Sequence, residues 1–181
     1  QLLARAGNPL KPSSALWVIH STARMLDAIH GQGIIHRDLK PSNLLLARPG
    51  GVRLCDLGLA SLIAEQEAMS VGSVRYMAPE LFKSGPADAR ADLYSLGMIA
   101  YEMLAGRRRF DEVFKTVLRD RRNHAVRWMK WHTNPRLKVA PLVDLNPAVS
   151  RVLAELVERM MEKDPTKRIA SAQQLLDAIE R

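Results

Sequence analysis

The sequence has a single cysteine, Cys55, among its 181 residues. An internal disulfide framework is therefore excluded, and a reducing compartment suits the chain. The longest apolar run, residues 93–105, is interrupted by Glu102 and is too short to span a bilayer. No apolar stretch follows a basic start at the N-terminus, so nothing there is typical of a signal peptide. These absences predict one cytoplasmic, globular unit without membrane contact, although a longer parent protein is free to carry a membrane anchor.

The charge is unevenly distributed along the chain. The formal net charge is +8, from 27 Lys and Arg against 19 Asp and Glu. Residues 107–138 contain 11 of these basic residues and 3 of the acidic ones, so they carry the whole excess. A local excess indicates a docking surface for an acidic partner or a solvated insertion. Trp128 and Trp131 lie among the charges, which keeps nucleic-acid binding open as an alternative, but we favour packing of both rings against the domain.

Residue patterns in the first third of the chain predict one helix and one hairpin. Apolar residues recur at helical spacing over residues 13–30, with Ser13 or Ser14 as the cap and Gly31 as the end. Two short apolar runs within residues 44–54 flank a turn rich in proline and glycine. The sequence therefore predicts an amphipathic helix followed by two short strands.

The rest of the chain is predicted to be mainly helical. Residues 60–75 have weak periodicity and are predicted to be irregular, whereas residues 91–104 are apolar on nearly every face, which is typical of a buried central helix. Asn146-Pro147 is predicted to cap and open a helix that runs to residue 161, and a last helix is expected over residues 171–180. The fold class is therefore mainly α with a small β hairpin.

Chemically distinct side chains are concentrated in residues 36–43, which read His-Arg-Asp-Leu-Lys-Pro-Ser-Asn. Phosphoryl transfer needs an acid that accepts the proton of the attacking hydroxyl, a cation near the moving phosphoryl group and oxygen ligands for magnesium. Asp38, Lys40 and Asn43 supply these groups. Asp56 follows thirteen residues after Asn43 and suits the principal magnesium ion.

These motifs, with Met77-Ala78-Pro79-Glu80 after them, resemble the signature set of the eukaryotic-type protein kinase family. Lys40 resembles the Ser/Thr branch of that family, and the compact spacing is similar to its bacterial members. The resemblance implies transfer of the ATP γ-phosphate to Ser or Thr hydroxyls of protein substrates, with Mg²⁺. It also implies the helical C-terminal lobe of the kinase fold, divided into a catalytic loop (36–43), an activation segment (56–80) and a basic helical insertion (about 107–138).

The resemblance assigns chemical roles to five residues. Asp38 is implied to be the catalytic base, and Lys40 is implied to contact the transferring phosphate. Asn43 and Asp56 are the implied magnesium ligands. Ser73 is implied to bridge Asp38 and Lys40 and to shape the substrate pocket.

Other residues are implied to support the site. Asp92 is expected to accept hydrogen bonds from the backbone of the His36-Arg37 turn. Glu80 is expected to pair with Arg168 and so to tie the activation segment to the lobe. Such pairs are costly to break when they are buried.

The resemblance also implies a nucleotide pocket and a regulatory site. Leu45 is expected to form the floor under adenine, and Ser42 to lie beside the nucleotide. A phosphate on Ser70 is a candidate partner for Arg37 that would order the activation segment. Cys55 is predicted to be a small buried hydrophobe rather than a reactive thiol.

Two features depart from the family pattern. Leu57 stands where the family usually has phenylalanine, which keeps an apolar contact. The sequence contains no glycine-rich phosphate loop, no ATP-anchoring lysine with its glutamate partner and no adenine hinge, so we expect the N-terminal lobe to be absent from this chain and the isolated chain to be inactive. The alternative is a pseudokinase-like interaction module, against which we count the presence of Asp38, Asn43 and Asp56.

Overall fold

The computed structural model describes residues 8–47, 50–56, 71–83, 87–120 and 122–181. In these ranges the chain is mostly helical with one two-stranded antiparallel sheet, as the sequence predicted. The strands are β1 (Leu44–Ala47) and β2 (Gly51–Leu54). The helices are α1 (Pro12–His30), α2 (Val71–Val74), α3 (Arg90–Ala105), α4 (Arg107–Val113), α5 (Lys115–Leu118), α6 (His124–Thr133), α7 (Leu142–Leu145), α8 (Arg151–Met160) and α9 (Ala172–Ile179).

Helix α1 confirms the first predicted helix but begins differently. Its N-cap is Lys11, and Pro12 occupies the first helical position. Proline suits this position because its fixed φ is already helical and its missing N–H removes no intrahelical hydrogen bond. The predicted cap at Ser13 or Ser14 is therefore wrong, whereas the predicted end is confirmed, since Gly31 is the C-cap.

Helix α3 is the central helix that its apolar composition predicted. All of it except the first residue is buried, including the carboxylates of Asp92 and Glu102. Helices α1, α4, α7 and α8 pack around it. At Gly97 a Cβ atom would lie 2.8 Å from Met160 Cβ and 2.9 Å from Met161 Cγ. The absence of a side chain at this position lets α8 rest on the backbone of α3.

The helix predicted to open at Asn146-Pro147 starts later. Helix α8 begins at Arg151, and the Ser150 hydroxyl accepts a hydrogen bond at its N-terminus. The Asn146 carboxamide donates to the Leu104 carbonyl at 2.8 Å and accepts from the Ala148 N–H at 3.2 Å. An Asn side chain bonded to the backbone two residues on closes a turn, and this turn replaces the predicted cap.

The hairpin has the predicted pair of strands and presents two candidate ligands at one end. Leu44 faces Leu54 across the two strands. Beyond this pair, the Cys55 N–H donates to the Asn43 carbonyl oxygen at 2.9 Å. This added hydrogen bond holds Asn43 close to the residue before Asp56.

Of the segment predicted to be irregular, residues 60–70 lie outside the described residues, and the described remainder contains the short helix α2. The predicted last helix is confirmed as α9, where the Ser171 hydroxyl accepts from the Gln174 N–H at 3.1 Å. Helix α9 packs against α1. None of the helices in the described ranges has the length and apolar character needed to cross a membrane.

The basic segment, residues 107–138, contains α4, α5 and α6, which pack on an aromatic cluster. Ring centroids in this cluster lie 4.6–6.5 Å apart, and its members include Tyr101, Phe110, Phe114, Trp128 and Trp131. Trp128 is fully buried and Trp131 is 9% exposed. Both tryptophan rings therefore hold the helices together and leave no free face for stacking on nucleic-acid bases.

Candidate active site

The catalytic loop is attached to the core through Asp92. Its two carboxylate oxygens accept hydrogen bonds from the backbone N–H groups of His36 and Arg37, each at 2.8 Å. His30 Nε2 lies 2.8 Å from the same carboxylate. These three partners replace the water that a buried carboxylate loses, and hydrogen bonds to a carboxylate are among the stronger ones in proteins. The start of helix α3 thereby fixes the backbone that carries Asp38.

Lys40 joins two of the candidate catalytic side chains. Its ammonium donates to Asp38 Oδ2 at 2.7 Å and to Ser73 Oγ at 2.9 Å. The side chains of Asp38 and Lys40 are 26% and 23% exposed, so both are sheltered but still reachable from solvent. Ser73 thus contacts Lys40, one of the two residues that it was expected to bridge, and this contact brings α2 and the catalytic loop together.

His36 is fully buried and connects the catalytic loop to the hairpin. Its Nε2 lies 3.1 Å from the Cys55 carbonyl oxygen, and its Nδ1 lies 3.3 Å from the Asp38 N–H. Because a carbonyl only accepts and an amide N–H only donates, Nε2 carries the proton and Nδ1 is the acceptor. Cys55 contributes its backbone to this link, and the residue is only partly buried, so the predicted burial of Cys55 is wrong.

Arg37 and Asp56 have positive φ angles, which residues other than glycine rarely adopt. Their φ values are +63° and +60°. Such a conformation costs a non-glycine residue on the order of 1 to 3 kcal/mol and persists where the surroundings impose it. The Asp92 carboxylate holds the Arg37 N–H, and the hairpin end precedes Asp56. The strain is therefore located beside the candidate base and at the candidate magnesium ligand.

Asn43 and Asp56 have the oxygen donors that magnesium prefers. The Asn43 amide nitrogen donates to the Asp38 carbonyl at 3.0 Å, and its amide oxygen accepts from the Ser42 hydroxyl at 3.3 Å. This arrangement fixes the amide orientation and leaves the oxygen one further lone pair. In the described ranges, no three His, Cys, Asp or Glu residues cluster as a closed metal site. Two protein ligands fit an ion that takes its remaining ligands from substrate phosphates and water.

Glu80 and Arg168 form a two-pronged ion pair. The guanidinium donates to the two Glu80 oxygens at 2.7 and 3.1 Å. It also donates to the carbonyl oxygens of Arg90 at 2.6 Å and Glu162 at 2.9 Å, and its plane lies over the Tyr94 ring. The Arg168 side chain is fully buried. The end of the activation segment is thus attached to the loop before α9.

Glu102 is an organising residue that the sequence reasoning missed. It is buried in α3, where its carboxylate accepts from the Tyr76 hydroxyl at 2.6 Å and lies within 3.6 Å of Arg75 and 3.2 Å of Arg107. Burial, and then the Glu102 charge, raise the pKa of Tyr76 above its usual range. A lone carboxylate inside an apolar run was the available signal, since a buried charge needs partners. The sequence did not identify those partners.

Other predicted residues are near the site or outside the described ranges. Ser42 is exposed, and Leu45 is 43% exposed on β1. The Arg37 Nε atom is buried and has no hydrogen-bond partner among the described residues. Leu57 and Ser70 lie outside those residues, so their predicted roles stay predictions.

Comparison with known proteins gives the family. Residues 1–178 match the protein kinase domain. Serine/threonine-protein kinase pkn2 of Myxococcus xanthus is 38% identical over 94% of this chain and 21% of its own length. Serine/threonine-protein kinase Pkn1 of the same organism is 34% identical over 99% of this chain and 25% of its own length. A probable serine/threonine-protein kinase of Corynebacterium efficiens, CE0033, is 29% identical over 98% of this chain and 27% of its own length.

The chain therefore belongs to the protein kinase family, and the expected resemblance to bacterial Ser/Thr kinases is confirmed. It spans about a fifth to a quarter of the length of these curated relatives.

Proposed function

We propose that this chain supplies the catalytic-loop half of a Ser/Thr protein kinase that transfers the γ-phosphate of ATP to protein hydroxyls. The observation that carries the proposal is the contact of Lys40 with both Asp38 and Ser73, at 2.7 and 2.9 Å. The acid, the cation and the hydroxyl come from two separate segments and meet there. Asn43, whose amide oxygen is a candidate metal ligand, lies next to them and donates its amide nitrogen to the Asp38 carbonyl. A separate N-terminal lobe would hold the adenine and cover the phosphates, because the sequence contains none of the motifs for those tasks.

Each group has a task in the proposed reaction. Asp38 accepts a hydrogen bond from the substrate hydroxyl and takes its proton while the new O–P bond forms and the bond to ADP breaks. Lys40 presents positive charge to the moving phosphoryl group, and the Ser73 hydroxyl holds the lysine in place. Asn43 and Asp56 would hold Mg²⁺, which supplies further neutralisation of the phosphate charge.

The second candidate function is an interaction module without catalysis. In that case Asp38, Lys40 and Ser73 would form only a structural contact. The partial exposure of Asp38 and Lys40 favours the enzyme, because a purely structural ion pair that solvent reaches contributes little stability.

The test compares single variants of a protein that contains this chain together with an N-terminal lobe. Asp38→Asn should reduce phosphoryl transfer by about 10²- to 10⁴-fold and leave nucleotide affinity nearly unchanged, because Asp38 acts on the substrate hydroxyl. Asp56→Ala should also weaken magnesium-dependent nucleotide binding. The matched control is Asp144→Asn, an exposed carboxylate of α7.

Radiolabelled phosphate transfer gives the rate, and calorimetric titration gives the nucleotide affinity. Substantial turnover by Asp38→Asn would remove the assigned base. Absence of any transfer by the wild-type protein would favour the interaction module.

A further inference from the structure

An open cavity of about 650 Å³ lies between α5 and α6, far along the chain from the catalytic loop. Its lining residues are mostly arginines, and we call it the basic groove: Thr116, Arg119, Asp120, Arg122 and Arg127. It lies within residues 107–138, the part of the sequence that carries the whole positive excess. The groove therefore concentrates positive charge in a concave surface.

The arginines of the basic groove differ in their partners. The Arg127 guanidinium is held in place, since it donates to the Thr116 carbonyl at 3.0 Å and lies 3.7 Å from Asp120. Arg119 and Arg122 are exposed, and their guanidinium groups form no ion pair with any described residue. Two guanidinium groups are thus available to a ligand beside a third that is fixed.

The helices that carry the groove are held in place by the aromatic cluster beneath them. Phe114, the residue between α4 and α5, lies 4.8 Å from Trp128 of α6, measured between ring centroids. Helix α6 also contacts α2, which carries Ser73, and the 3-10 turn Pro79–Phe82. The groove therefore lies beside an element, α6, that carries Arg127 and also contacts the segment with Ser73.

We propose that the basic groove is a docking site for an acidic segment of the protein substrate; this identification of the ligand as substrate rests on the proposed kinase function. The planar, two-pronged guanidinium group matches carboxylates in geometry as well as charge. The groove also contains the Asp120 carboxylate, which repels a long polyanion that extends across the whole groove, and the tryptophans of the segment are buried. These features favour a short acidic peptide over a nucleic acid.

The first experiment measures binding without catalysis. It uses the Asp38→Asn form of the protein that contains this chain together with an N-terminal lobe, without ATP, and a fluorescent peptide that ends in six glutamates. The matched probe has six glutamines instead. We expect fluorescence anisotropy to show binding of the glutamate peptide only, weakening as salt is raised. The double variant Arg119→Glu/Arg122→Glu should weaken this binding by about tenfold or more.

The matched control is Arg108→Glu/Arg109→Glu, which makes the same charge change at exposed residues of α4 outside the groove. It should keep most of the affinity for the glutamate peptide. Equal losses of affinity in the two double variants would show a general charge effect and would overturn the assignment of the groove as the binding site. Equal binding of the two peptides by the unaltered groove would also overturn it.

The second experiment measures turnover with the catalytically intact protein. The substrates are a serine peptide with the glutamate tail and the same peptide with the glutamine tail. We expect the ratio of their kcat/KM values to be about ten and to fall to about one in Arg119→Glu/Arg122→Glu. A ratio that does not change in this variant would overturn the proposal. A general loss of folded enzyme lowers both kcat/KM values by the same factor, so it does not change their ratio.

Two further outcomes separate the alternatives. Tight binding of a single-stranded DNA 20-mer that depends on Arg119 and Arg122, without binding of the glutamate peptide, would replace the proposal by nucleic-acid binding. Binding of the glutamate peptide by a protein that phosphorylates neither serine peptide would contradict the kinase function, while supporting a docking site for acidic segments.

Discussion

At the scale of single residues, His132 shows how a buried titratable group can be held neutral. Its Nδ1 lies 2.8 Å from the Tyr94 hydroxyl, and its Nε2 lies 3.1 Å from the Arg75 carbonyl oxygen. Nε2 must donate to that carbonyl, so Nδ1 accepts from the tyrosine. Burial, and then the charge of Lys163, lower the pKa of His132 from 6.5 to about 3. The side chain therefore stays neutral in the folded protein above about pH 3.

This lowered pKa predicts a loss of stability in acid. Between pH 6.5 and about 3, the unfolded chain binds a proton at His132 and the folded chain does not, so the free energy of unfolding falls as the pH falls. The loss at pH 5 is about 2 kcal/mol. His132→Gln should reduce the difference in stability between pH 7 and pH 5 by about this amount, measured by urea unfolding with tryptophan fluorescence.

The control is His20→Gln, a histidine of α1 that is partly exposed to solvent. It removes a histidine without touching the contacts of His132 with Tyr94 and Arg75. Identical pH dependence in His132→Gln and the wild type would show that His132 is not the group responsible.

At the scale of elements, the Glu80–Arg168 pair attaches the activation segment to the C-terminal part of the domain. Glu80 is in the 3-10 turn Pro79–Phe82, and Arg168 follows the 3-10 turn Pro165–Lys167. The pair is embedded in further bonds from the guanidinium to backbone carbonyls. Its contribution therefore lies in holding two separate turns together.

Removing one partner should be costly. Arg168→Met keeps much of the side-chain volume but leaves Glu80 unpaired, and we expect a loss of about 3 to 5 kcal/mol in the free energy of unfolding. Lys167→Met is the matched control, because Lys167 is an exposed neighbour. Chemical denaturation measures both. A loss below about 1 kcal/mol for Arg168→Met would mean that the turns are held by other contacts.

How far the sequence predicts the structure differs from element to element. Helix α3 could be predicted because an apolar segment of that length has to be buried on all sides. The start of α8 could not, since Asn146-Pro147 is compatible with a helix cap and with a turn, and the distant Leu104 carbonyl decides between them. The proximity of Asp38 and Asn43 could be predicted because the loop that carries them is contiguous. The partners of Glu102 come from separate segments, so no local pattern contains them.

At the scale of the whole molecule, large apolar side chains are exposed near the hairpin. Trp17 is 44% exposed, Leu45 43% and Leu46 57%. Trp17 and Leu46 line the same open cavity with Leu10 and Val18. Contiguous exposed apolar surface on a soluble domain is typical of a contact surface.

We predict that the purified 181-residue chain is folded, self-associates and does not catalyse transfer. The buried helix α3 should give high helical content, whereas nothing in the sequence covers the β- and γ-phosphates of ATP. Circular dichroism measures the helical content, light scattering the association, and calorimetric titration with ATP and Mg²⁺ the binding. Tight nucleotide binding with phosphorylation that depends on Asp38 would contradict this prediction.

The hydrogen bonds of Asp92 also set an order of events during synthesis. His36 is made 56 residues before Asp92, and Glu80 is made 88 residues before Arg168. The ribosome therefore releases the catalytic loop well before the carboxylate that fixes its backbone, and the activation segment well before its arginine anchor. The candidate site residues are translated early and take their final positions late. A chain still in translation accordingly has Asp38, Lys40 and Asn43 before it has the contacts that fix their loop.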